Sequence, residues 1–179
     1  MEQKIPDLNE LRASSGGSWF KTSSLKEGPK TLRLLSVLVM WENWTPEGKP
    51  LRAPTLAELE SMKPAKGWRV EDGETSRSKL SLAFYAWAYP GMVVAQFPQK
   101  SIQDGLKRLQ DNPKWGSLSG YDVELSRTDN NGKIDYAVTP GDKGPLPADA
   151  AEEWKRVQDE CVGLAALFSG GNPLDVFGN

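Results

Sequence analysis

The sequence predicts a mainly β fold with helices. Five strands close into a barrel, one helix lies between the third and fourth strands, and a further helix is appended at the C-terminus. Three observations predict this. Two pairs of strand-like segments are each joined by a tight turn signal, Pro90-Gly91 and Asn131-Gly132. One amphipathic helical segment separates the pairs. A long apolar run near residue 31 precedes both.

The elements follow in order. Residues 1–18 end in Ser14-Ser15-Gly16-Gly17-Ser18, the composition of a flexible arm, and Trp19-Phe20 is the first fixed point. TLRLLSVLVMW (31–41) holds large and β-branched apolar residues with no Pro or Gly, as expected of a long strand buried on much of both faces. NWTPEGKP (43–50) is turn-rich. In TLAELESM (55–62), Thr55 with Glu58 three residues on forms a capping box and starts a short helix, closed by Pro64 and Gly67. EDGETSRSK (71–79) is polar and reads as a mobile loop.

SLAFYAWAY (81–89) is the second strand. Alternation puts Leu82, Phe84, Ala86 and Ala88 on a core face, and Ala83, Tyr85, Trp87 and Tyr89 on the other. MVVAQF (92–97) returns as the third. SIQDGLKRLQDN (101–112) carries Ile102, Leu106 and Leu109 on one helical face and stops at Asn112-Pro113. YDVELSR (121–127) alternates as a half-exposed strand. IDYAVT (134–139) returns from the turn with Ile134, Tyr136 and Val138 inward. After Pro147, the residues Trp154, Val157, Cys161, Leu164 and Phe168 recur at steps of 3, 4, 3 and 4, an apolar seam on a helix of about 20 residues. The seam either docks on the body, which is the expectation, or pairs with a second copy as a homo-oligomer. This element order is that of an OB-fold barrel. The expected organisation is an arm (1–18), the barrel domain (19–143), the C-terminal helix (144–169) and a short tail (170–179).

Composition narrows the function. The 179 residues include no His and a single Cys, Cys161, so zinc fingers, His-based triads and disulfides are excluded as usual constructions. No apolar run reaches the ~18 residues of a membrane helix. Residues 1–17 are polar and show no signal-peptide pattern. A cytoplasmic protein with no membrane partner, no metal and no cofactor is expected. Residues 20–143 carry 18 basic and 15 acidic side chains, whereas residues 144–179 carry 2 and 6. A mildly basic body is thus followed by an acidic C-terminal segment. DNNGKID (129–135) resembles a calcium loop only faintly. Lys133 stands where the fifth oxygen ligand belongs and Pro140 where the twelfth does, so a hairpin turn is the reading.

Seven Trp is high for this length. Tyr85, Trp87 and Tyr89 form an aromatic stripe opposite a core face, and rings on an exposed sheet can stack bases without regard to their identity. The competing reading is that this face is buried beneath the C-terminal helix. Basic and aromatic residues interleave elsewhere: Trp41 and Trp44 before Lys49 and Arg52, Trp68-Arg69 and Arg77/Lys79 around the polar loop, and Lys114-Trp115 after the helix. The tail PLDVFGN pairs Asp175 with Phe177, a combination suited to docking a partner protein.

Four stretches carry a family resemblance: KTLRLLSV (30–37), SLAFYAWAYPGMVVAQFPQKSIQDGLKRL (81–109), NPKWGSLSGYDVELSRT (112–128) and IDYAVTP (134–140). Together they resemble the tailed-phage single-stranded DNA-binding proteins, in the group of the T-even helix-destabilising protein. The resemblance covers roughly residues 18–140. It implies an OB barrel that coats single-stranded DNA in phage replication, recombination or repair. It also implies that Tyr85, Trp87, Tyr89, Lys79, Lys100 and Arg127 face DNA, and that the tail recruits replication or recombination proteins. The chain departs from the group in two ways. It cannot build the Cys/His zinc site, and the long acidic tail is reduced to a mildly acidic helix and PLDVFGN.

The expected function is therefore non-catalytic, sequence-tolerant binding of single-stranded DNA, with RNA as an open substitute. The alternative is a protein-interaction adaptor that uses the Trp-rich surface and the C-terminal seam.

Overall fold

The computed structural model describes residues 18–62 and 77–175. The strands are β1 (Ser18–Phe20), β2 (Lys30–Trp44), β3 (Pro50–Ala53), β4 (Lys79–Ala88), β5 (Gly91–Phe97), β6 (Tyr121–Asn130) and β7 (Lys133–Lys143). The helices are α1 (Leu56–Met62), α2 (Lys100–Asp111) and α3 (Ala148–Glu160), joined by short 3₁₀ turns at Thr22–Glu27, Leu118–Gly120 and Leu164–Ser169. The strands form one seven-stranded mixed sheet in the order β1-β5-β4-β2-β6-β7, with β3 on β2. It curls into a half-barrel consistent with an OB-like fold. It differs from the five-stranded form in strand count and in helix placement.

β2 is the spine because its 15 residues are long enough to serve three neighbours. It pairs with β6 at Lys30–Leu32, with β4 at Arg33–Glu42 and with β3 at Trp41–Trp44. A bulge between Leu34 and Ser36 shifts the register. Leu34 pairs with Ala86 and Val37 with Phe84, so the interior face continues past the bulge through Val37 and Val39. Leu38 pairs with Ala83, and with Met40 it takes the outer face.

The two faces hold separate cores. Inside the half-barrel, Leu32, Leu34, Phe84, Ala86, Phe97, Val123 and Leu125 pack with Ile102 and Leu106 of α2. Leu109 packs on the same cluster, as the helical spacing predicted. α2 comes close to β7 because Gly105 has no side chain. A Cβ there would sit 2.8 Å from the Val138 Cγ2 atom. Gln103 ties the helix to the sheet by donating to the carbonyls of Leu80 (2.9 Å) and Phe97 (2.8 Å).

On the outer face, Tyr85, Trp87, Met92 and Val94 pack against Ala150, Val157, Leu164 and Leu174. Leu167 and Phe168 extend this cover over Met40 and Ala83.

The short elements follow their local signals. The Thr55 hydroxyl accepts from the Glu58 backbone N–H at 3.2 Å and caps α1. Asn131 and Gly132 have φ of 53° and 85°, the left-handed pair of a tight hairpin turn. Two expectations need correction. Ile134 is exposed, because the β6–β7 hairpin tip runs beyond the barrel. The C-terminal seam is also not one helix. α3 stops before Cys161, Gly163 takes a φ of 81°, and Leu164–Ser169 turns as 3₁₀. Among the described residues no helix is long and apolar enough to cross a membrane.

Candidate nucleic-acid interface

The aromatic stripe of β4 is divided by the fold. Tyr85 and Trp87 lie buried under the C-terminal segment. The Tyr85 ring packs on Trp154 of α3, with centroids 5.8 Å apart, and its hydroxyl donates to the Pro173 carbonyl at 2.8 Å. Burial pushes the Tyr85 phenol and the neighbouring Cys161 thiol above their ordinary pKa values. The expectation that both rings face solvent as stacking surfaces is therefore corrected: the acidic segment covers them. Tyr89 is 79% exposed at the β4–β5 turn and lies outside the cluster that buries the other two.

Beyond that cover the outer face carries an open groove. Trp19 of β1 pairs in register with Val94, and alternation from Met40 carries Glu42 and Trp44 onto the same side. Trp19 and Trp44 are 39% and 49% exposed. Both line one groove of about 490 Å³, together with Lys21, Arg52 and Lys79. The sheet thus presents two indoles among three cations. Lys21 and Lys79 have no ion-pair partner among the described residues, which leaves their charges available to phosphate.

Arg52 has a different role. Its Nε donates to the Glu42 carboxylate at 2.7 Å and its Nη2 to Gln96 Oε1 at 3.2 Å. The Gln96 amide in turn donates to Glu42 at 2.8 Å. This triad forms part of the groove's lining and neutralises Glu42, which would otherwise repel a phosphate backbone.

The remaining expected residues are dispersed. Trp41 is half-buried at the β2–β3 pairing. Lys49 is exposed in the turn after β2, where the Thr45 N–H donates to the Lys49 carbonyl at 2.9 Å. Arg77 is exposed just before β4. Trp115 packs on Tyr121 with centroids 5.2 Å apart, with the Lys114 and Lys143 ammonium groups over its ring, so it belongs to the wall of the interior core. Lys100 pairs with Asp104 at 2.8 Å, and Arg127 lies 3.5 Å from Asp129. Asp175 is exposed, following buried Leu174. Trp68, Arg69 and Phe177 lie outside the described residues.

Sequence reasoning missed Trp19 and Lys21 as site residues, treating Trp19-Phe20 only as an anchor. The signal was present as a further aromatic-basic neighbourhood, but β1 is three residues long and joins the sheet by parallel pairing, which local sequence does not announce. Among the described residues no group of three or more His, Cys, Asp or Glu could hold a metal ion. Comparison with family models, with curated proteins and with solved structures finds no match for this chain.

Proposed function

We propose that the protein is a non-catalytic, sequence-tolerant single-stranded DNA-binding protein. In this reading β2, β4, β5, β6 and β7 are the five strands of an OB barrel, α2 is the helix between its third and fourth strands, and β1 and β3 are additions. The observation that carries the reading is the pair of exposed indoles, Trp19 and Trp44, in one groove with Lys21 and Lys79. Indoles take bases of any identity, and the ammonium groups take phosphates. The resemblance of residues 18–140 to phage single-stranded DNA-binding proteins supports a role in coating strands during replication, recombination or repair. The acidic C-terminal segment, which ends at Asp175 among the described residues, is the candidate contact for partner proteins.

The test is a titration of intrinsic Trp fluorescence with oligo-dT, with duplex DNA, and at two salt concentrations. Salt-sensitive quenching by the single strand, weak quenching by duplex, and loss of the signal in a Trp19→Ala/Trp44→Ala variant are expected. An unquenched protein that also gives no mobility shift at low salt would overturn the proposal. Oligo-rU in place of oligo-dT reads the preference between DNA and RNA.

A further inference from the structure

We propose that the free edge of β2 is a docking site for an extended apolar segment of a partner protein, flanked by acidic residues and taken up as an added strand. The site adjoins the Trp19/Trp44 groove, with which it shares Lys79, and does not depend on DNA binding.

β2 is paired with β4 along one side from Arg33 to Glu42. On the other side, the β6 pairing ends at Leu32 and the β3 pairing begins at Trp41. Between those limits no strand covers the edge among the described residues. The gap spans roughly 26 Å at the usual rise per residue, about the length of a complete strand. An uncovered edge offers N–H and C=O groups at the spacing of a ladder. Another extended polypeptide satisfies that spacing, and a nucleic acid does not.

The side chains beside this edge point to the same class of occupant. Val37 and Val39 are 55% and 52% exposed, although both stand on the interior face of the half-barrel. They line a groove of about 830 Å³ between β2, β4 and α2, where Leu82 and Leu118 continue the apolar surface. Val37 and Val39 are two residues apart, the repeat at which an added strand presents its own side chains. The exposed floor is aliphatic, and the ring in its lining, Phe84, is 2% exposed and offers no face on which a base could stack.

Charge selects among polypeptides. Lys79, Lys100 and Lys107 line the groove against one carboxylate, Asp104. The pairs Lys100–Asp104 and Lys107–Asp111 lie on the solvent face of α2, where such pairs contribute little and exchange readily. Acidic flanks on the incoming segment complement this rim. A second copy of the chain would bring the same lysines against their equivalents, which disfavours edge-to-edge self-pairing.

The experiment follows backbone amides of the full-length chain by NMR and hydrogen exchange. The probe is a blocked synthetic peptide of alternating valine and threonine with glutamates at both ends. Those amides of Leu35–Met40 that point away from β4, every second one along the strand, are expected to exchange fast in the protein alone and to shift and become protected with the peptide. A matching peptide with lysines in place of the glutamates should bind roughly tenfold more weakly at low salt. Val37→Glu/Val39→Glu, at exposed positions, should weaken peptide binding by at least about tenfold while leaving oligo-dT quenching unchanged. Four results would overturn the proposal: no shift at about millimolar peptide, slow exchange of these amides without peptide, concentration-dependent dimerisation that protects them, or their protection by oligo-dT instead.

Discussion

The Tyr85 hydroxyl donates to the backbone carbonyl of Pro173 at 2.8 Å, a buried bond between residues 88 positions apart. It joins the middle of the sheet to the last described turn of the chain. Tyr85→Phe should cost about 1 kcal/mol, the net value of one such bond plus the orphaned carbonyl. Trp154→Ala, which removes the ring packed on Tyr85, should cost about 2 kcal/mol or more. Urea denaturation measures both. Equal stability of Tyr85→Phe and the parent would mean that water replaces the bond.

The same contact sets an alkaline limit. The phenol of Tyr85 and the thiol of Cys161 are both raised in the fold by burial, from ordinary values of 10.0 and 9.0. The unfolded chain releases these protons first, so it binds fewer protons than the native state as pH rises past those values. The stabilisation is fully present below the ordinary values and is lost as pH climbs from them through the folded-state values. The unfolding midpoint should therefore fall in the alkaline range, and the fall should be shallower in Tyr85→Phe. A midpoint that stays flat through this range would contradict the buried position of the ring.

Glu42 and Arg52 form a nearly dry ion pair, with side-chain exposures of 6% and 11%. Arg52→Ala leaves the carboxylate buried without its partner and should destabilise by about 3–5 kcal/mol. Arg52→Ala combined with Glu42→Leu should recover much of that loss. If Arg52 served only as a phosphate contact, the single variant would lower oligo-dT affinity and leave thermal unfolding untouched.

Two Trp residues distinguish the open part of the outer face from the covered part. Trp44→Ala should lower oligo-dT affinity by about 1–3 kcal/mol with little change in stability. Trp87→Ala should do the reverse, costing about 3 kcal/mol of stability with a smaller effect on binding. Lys79→Ala should reduce the slope of log affinity against log salt by about one. The pattern is read by running denaturation and fluorescence titration on the same preparations.

Much of the framework was legible because its signals are local. The Asn131-Gly132 turn, the Thr55 cap, the face of Ile102, Leu106 and Leu109, and the alternation in 81–89 each depend on neighbours a few residues away. The spacing of Trp154, Val157, Cys161 and Leu164 correctly grouped residues that pack together on the body, although Gly163 breaks the helix that the spacing implied. β1 and β3 were not foreseen, since strands of three and four residues owe their existence to the edges they join.

The sequence by itself determined the two-faced character of β4, the hairpins around it and the acidic balance of the C-terminal segment. Periodicity and composition specify those without reference to distant residues. Only the tertiary structure decided which aromatics meet solvent. Whether Tyr85 and Trp87 are buried depends on where a segment some 60–90 residues later comes to rest. Whether Trp19 and Trp44 share a groove depends on β1 joining β5 at the edge of the same curled sheet that carries the end of β2. Burial is a property of the whole packed chain, and no local pattern encodes it.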